Sequence, residues 1–192
     1  MSNESNFTST RMAGIGRYLQ ALDEIEQFYG EKRAKRSGVR LINHINEGCA
    51  IISGVIRKFD DMPFDTMAAF CLHPIFQSDD VDPATYPFKH VHADDVVRMA
   101  KAYAEVANMY LCREETDHIQ NANDLSNHLG NRLIEKEDFF DLVVMLYADK
   151  VQNRKDFEVY HWRRHKRSDQ LERYFNIWID YLGRWIEPEY RG

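Results

Sequence analysis

Apolar residues recur along this chain at three- and four-residue steps, the repeat that lines up side chains on one face of an α-helix. From Arg11 to about Gly30 the stripe is Ile15, Tyr18, Leu19, Leu22, Ile25 and Phe28. The basic, apolar-poor stretch "EKRAKRSGVR" follows as a connection, with Gly38 as its turn. A second helix is predicted from about Leu41 to Arg57. A short third helix, roughly Phe64 to Leu72, is predicted to end at or near Pro74, because proline removes a helical donor and biases its predecessor away from the helical region.

The polar segment "QSDDVDPATYPFKHVHADD" reads as a loop of about 18 residues, a length uncommon in compact domains and often functional. A long helix is predicted over about Asp94 to Cys112, with Val96, Met99, Ala100, Tyr103, Ala107, Tyr110 and Leu111 as its stripe. A polar helix is placed between Glu115 and Leu129. "DFFDLVVMLYADK" is apolar nearly all round until Asp149, which marks a central buried helix with a charged end. The last helix, about Ser168 to Trp185, repeats Leu171, Tyr174, Phe175, Trp178, Tyr181, Leu182 and Trp185. No alternating strand pattern runs for a useful length. The fold class is all-α: one helical domain over 11–192 behind a polar, flexible tail at 1–10.

Composition narrows the function. A chain of 192 residues, 44% hydrophobic, supports one domain with a core of its own. A net charge of −6 gives no electrostatic case for a nucleic-acid partner. No apolar run reaches membrane-spanning length, and "MSNESNFTST" lacks the apolar stretch of a signal peptide. Cys49, Cys71 and Cys112 form no CxxC and read as reduced thiols of a cytoplasmic protein.

Three islands carry chemistry. In "RSGVRLINHINEG", His44 sits early in an apolar helix. In "CLHPIF", His73 stands at a helix end. In "VVMLYADKVQNRKDF", Asp149 follows an apolar run, and Asn153 shares its helical face four residues on. A carboxylate on a buried helix must be paired or bind a cation. A salt bridge to Lys150 or Arg154 would satisfy it without any function. Alternatively, two histidines and a carboxylate from three helices of a bundle can converge on a first-row divalent metal.

These islands resemble the HD-type phosphohydrolases, and within them the hydrolase domain of RelA/SpoT proteins and the small alarmone hydrolases. "GVRLINH" is similar to that family's "G-x-P-Y-x-x-H" entry, "AAFCLHPIF" to "A-x-L-L-H-D", "ADKVQN" to "A-D-[KR]-x-x-N", and "HKRSDQLERYFNIW" to a tail helix carrying "Y-F-x-W". The order is kept from roughly Arg33 to Trp178. The resemblance implies an HD-type bundle holding one divalent metal, typically manganese, and hydrolysing pyrophosphate from a guanosine-based alarmone. It implies His44, His73 and Asp149 as metal ligands, Asn153 as substrate-side, and Arg33, Lys35 and Arg36 in a nucleotide-contacting basic loop; if the chain is an enzyme, Arg154 is a further candidate for binding phosphates or the base.

The chain departs from that pattern where the chemistry is concentrated. Pro74 stands where the family has a metal-binding aspartate, and Gln77 and Ser78 stand in place of a Glu-Asp pair that handles the attacking water. Asp79 or Asp80 could serve as the water-side base, and His90 and His92 could reach a metal from the loop. Two functions follow: a divergent metal-dependent phosphohydrolase of a nucleotide or alarmone-like substrate, or a non-catalytic module that binds or sequesters such a ligand. A third reading makes the aromatic last helix a homo-oligomer surface, although Tyr174, Trp178, Tyr181 and Trp185 suit a core better.

Overall fold

The periodicity of the sequence becomes six α-helices in a computed structural model that describes residues 2–35, 37–59, 63–108 and 138–187. They are α1 (Ser2–Tyr29), α2 (Ile42–Ile56), α3 (Phe64–Phe76), α4 (Asp94–Asn108), α5 (Phe139–Asp156) and α6 (Ser168–Ile186). Among the described residues there is no strand, only an isolated bridge between Arg33 and Arg40. The fold is an all-α single-domain bundle. Cys112, the helix expected at Glu115–Leu129, and Arg36 lie outside the described residues.

Two expectations need correction. The first helix begins at Ser2 rather than Arg11, so the segment assigned to a tail is helical, although residues 9–13 are exposed. The third helix does not stop before Pro74 but runs to Phe76. Pro74 costs one backbone hydrogen bond near the C-terminal end, and a side chain takes over the carbonyl it leaves.

Helix α3 is the centre of the bundle and packs against α1, α2, α4 and α5. Every residue from Thr66 to His73 on it is buried. Leu142 to Leu146 of α5 are buried as well, as the apolar run predicts. Among the described residues Trp178 and Tyr103 are the largest fully buried side chains, and Phe175 and Tyr181 are buried as well, so most of the aromatic stripe of α6 is core. Trp185 sits at the rim, its ring 5.2 Å from that of Phe139.

Glycines set two approaches that matter for the site. Gly38 takes φ +71° in the basic connection, where Gly38 N–H donates to the Ala34 carbonyl and Ala34 N–H to the Val39 carbonyl. Gly48 of α2 faces the Phe70 ring of α3, and a Cβ added there would meet Cε1 at 2.2 Å. Gly48 therefore lets α2 lie against α3 one turn after His44.

The loop from Gln77 to Ala93 is fastened to α1. Glu24 is buried, and its Oε2 accepts the backbone N–H groups of Lys89 at 2.8 Å and His90 at 3.2 Å. Asp23 takes Lys89 Nζ at 2.5 Å and His90 Nε2 at 2.8 Å.

Candidate functional site

Three helices bring His44, His73 and Asp149 together. His44 is in the first turn of α2, His73 in the last turns of α3, and Asp149 in the middle of α5, which continues to Asp156 rather than ending at the aspartate. The two imidazole centroids are 5.8 Å apart, and His44 Nε2 is 3.4 Å from Asp149 Oδ1. His73 and Asp149 are buried, while the His44 side chain keeps 21% of its surface exposed.

Hydrogen bonds assign the proton on each histidine. His73 Nδ1 is 2.5 Å from the Phe70 carbonyl oxygen, which only accepts, so Nδ1 carries the hydrogen. His44 Nδ1 is 2.5 Å from Gln152 Oε1. The orientation of that amide follows from its other end: Gln152 Nε2 donates to Asp156 Oδ2 at 2.8 Å and points to Glu47 Oε2 at 3.4 Å, both carboxylate acceptors. Oε1 therefore faces His44 and receives Nδ1–H. Burial, and then the neighbouring His44, push the His73 imidazole down to about 3, so it is neutral at neutral pH and Nε2 keeps its lone pair. Metal-binding histidines are held in the same way, with the far nitrogen bonded to a carbonyl or carboxylate.

Asp149 has an internal counter-ion. Lys150 Nζ, buried under the rings of Trp178 at 5.1 Å and Tyr174 at 5.9 Å, donates to Asp149 Oδ2 at 2.7 Å. Asn153 Nδ2 donates to Oδ1 at 2.8 Å, which realises the shared face read from the sequence. Burial alone would raise the Asp149 carboxyl; Lys150 and His44 outweigh it and hold it below the usual carboxylate value. The Tyr103 side chain is fully buried, and its hydroxyl is pushed well up by burial and then by the charge of Asp149. Its ring centroid is 4.6 Å from that of His73.

Gln152, bonded to His44, also lines a groove of about 360 Å³ together with Arg33, Arg40, Asn43, Lys155 and Tyr160. Arg33 of the basic connection is in this lining, whereas Lys35 is exposed and outside it. Arg154 turns away to Glu158, at 2.8 Å, and Lys155 takes its place in the groove, tied to Glu47. Helical spacing explains the exchange: Lys155 lies three residues after Gln152 and shares its side of α5, whereas Arg154 is turned off that side. Asp79 and Asp80 are exposed at the start of the loop, and no hydrogen bond or ion pair joins them to His44, His73 or Asp149. His90 and His92 are placed on α1, His92 Nε2 lying 3.6 Å from Glu24 Oε2.

No family model, curated protein or solved structure matches this chain. Among the described residues, no three His, Cys, Asp or Glu side chains stand in the close arrangement of a finished coordination set. The donors are neighbours: a close His44–Asp149 pair, with His73 one ring further. The donor set nonetheless fits a divalent ion of the manganese or zinc kind, since two neutral imidazoles and one carboxylate oxygen are a common three-ligand set that leaves places for water. No helix among the described residues is long and apolar enough to cross a membrane.

Proposed function

We propose that the His44–His73–Asp149 cluster is the centre of a divergent, HD-like, metal-dependent phosphohydrolase acting on a nucleotide or alarmone-like phosphate ester. The observation that carries this reading is the His44–Asp149 contact. With Nδ1–H given to Gln152, a neutral His44 turns the lone pair of Nε2 toward the lone pairs of Asp149 Oδ1 across 3.4 Å. Two acceptors facing each other call for a positive species between them, either a proton or a metal ion. His73 Nε2 favours the metal, because its lone pair stays available once Nδ1 carries the hydrogen.

A divalent cation bound there would polarise a phosphate oxygen and make its bound water a better nucleophile. The chain's own residues supply the rest. Lys150 and Asn153 hold Asp149 ionised and oriented. Arg33, Arg40 and Lys155 offer phosphate-binding donors in the groove, and Tyr160 offers a ring face for a base. Asp79 or Asp80 is the proposed water-side base.

A second reading has its own support. The exposed Asp79 and Asp80 touch none of the cluster, and Gln77 and Ser78 are no general bases near neutral pH. That favours a module that binds or sequesters the nucleotide without turning it over. Manganese-dependent phosphate or pyrophosphate release from a panel of nucleotides and guanosine alarmones separates the two. Turnover lost in His44→Ala and Asp149→Asn supports the enzyme. A ligand-induced rise in melting temperature without turnover supports the binding module, and neither signal with any compound rejects both.

A further inference from the structure

Pro74 is the residue at which the chain leaves the resembled pattern, and its place in α3 gives it work of another kind. Residues 70 and 74 are four apart inside one helix. In an uninterrupted helix the N–H of residue 74 would donate to the Phe70 carbonyl. Proline has no N–H, so that carbonyl loses its partner at a residue with 0% exposure. Buried carbonyls do not stay bare. The donor that replaces it is His73 Nδ1–H, at 2.5 Å. The imidazole is further fixed between two rings, with centroids 4.6 Å from Phe70 and 4.6 Å from Tyr103.

We propose that Pro74 is a positioning residue: by withholding a backbone N–H from the Phe70 carbonyl, it reserves that carbonyl for His73 Nδ1–H and so presents His73 Nε2 as the lone-pair nitrogen. Any other residue at position 74 brings an N–H that competes for the same oxygen and releases the imidazole to exchange its proton between the two nitrogens. Only the consequence for metal binding rests on the proposed metalloenzyme; the proton placement is a property of α3 itself.

The test is the tautomer of His73, read by long-range proton–nitrogen correlation on protein carrying ¹⁵N-histidine. The signal is assigned by its loss in His73→Gln. Wild type is expected to show one tautomer, protonated on Nδ1. Pro74→Ala, which adds the N–H and a strong helix former, is expected to show a measurable Nε2–H fraction, and Pro74→Ser supplies the same N–H if the alanine variant does not fold. An Nε2–H tautomer in wild type, or an unchanged single tautomer in the variants, overturns the proposal. A parallel manganese titration separates the two claims. A tautomer shift with a loss of about 10–100-fold in affinity supports both. A tautomer shift with no metal bound by wild type leaves Pro74's role standing and removes the metalloenzyme. Metal binding with unchanged tautomers does the reverse.

Discussion

At the scale of single residues, the site depends on how Asp149 keeps its charge inside the bundle. Lys150 is 1% exposed and holds Asp149 Oδ2 at 2.7 Å. Removing one partner of a buried ion pair leaves the other charge uncompensated, at a cost of about 3–5 kcal/mol. Lys150→Met is therefore expected to lose stability in that range in urea unfolding, and the double variant Asp149→Asn with Lys150→Met to lose less. A single variant within about 1 kcal/mol of wild type would show that Lys150 is not what holds the charge. Asp149, Asn153 and the lysine beside them were legible in the sequence because they lie on one turn of one helix. Gln152 was legible in principle, three residues from Asp149 on the same side, but its value comes from His44, which is 108 positions away. Tyr103 read as ordinary core, and its place against His73 is a tertiary fact.

At the scale of elements, two contacts set the geometry. Gly48 brings α2 onto α3, and a methyl group there collides with a ring rather than with a flexible chain end. Gly48→Ala is expected to destabilise the protein by about 1–3 kcal/mol, as overpacking does, and to spread His44 from His73, read as weaker metal binding. The loop fastened by Asp23 and Glu24 responds to acid through His92. Burial pushes this imidazole below its ordinary value of 6.5, with Glu24 opposing and His90 adding to the shift. The folded loop thus binds the His92 proton less readily than the released loop. Its stability is complete above 6.5 and declines as pH falls below that value. Amide exchange at Lys89 and His90, corrected for the intrinsic pH effect, should quicken between about pH 7 and about pH 5, and His92→Gln should flatten the trend. Equal pH dependence in both proteins would show that His92 does not carry the effect. The helices themselves were readable because periodicity is local. The end of α3 was misjudged because a proline near the last turn loses only one bond, and the replacement donor is a side chain that no pattern of apolar residues encodes.

At the scale of the molecule, α2, α3 and α5 meet so that two imidazoles and a carboxylate become neighbours, and Gln152, bonded to His44, also lines a groove carrying Arg33, Arg40 and Lys155. The order of the islands along the chain made that meeting foreseeable, and the all-α class followed from the same stripes. Lys155 in place of Arg154, and the seating of His90 and His92 on α1, depended on how helices turn against each other, which one chain's pattern does not fix. We propose that the cluster holds a metal. Elemental analysis of purified protein, loaded with manganese and freed of excess, tests it most directly. About one ion per chain is expected in wild type, with a clear loss in His44→Ala and Asp149→Asn. Metal in wild type no higher than in those variants, at saturating manganese, would contradict it and leave a proton between His44 and Asp149.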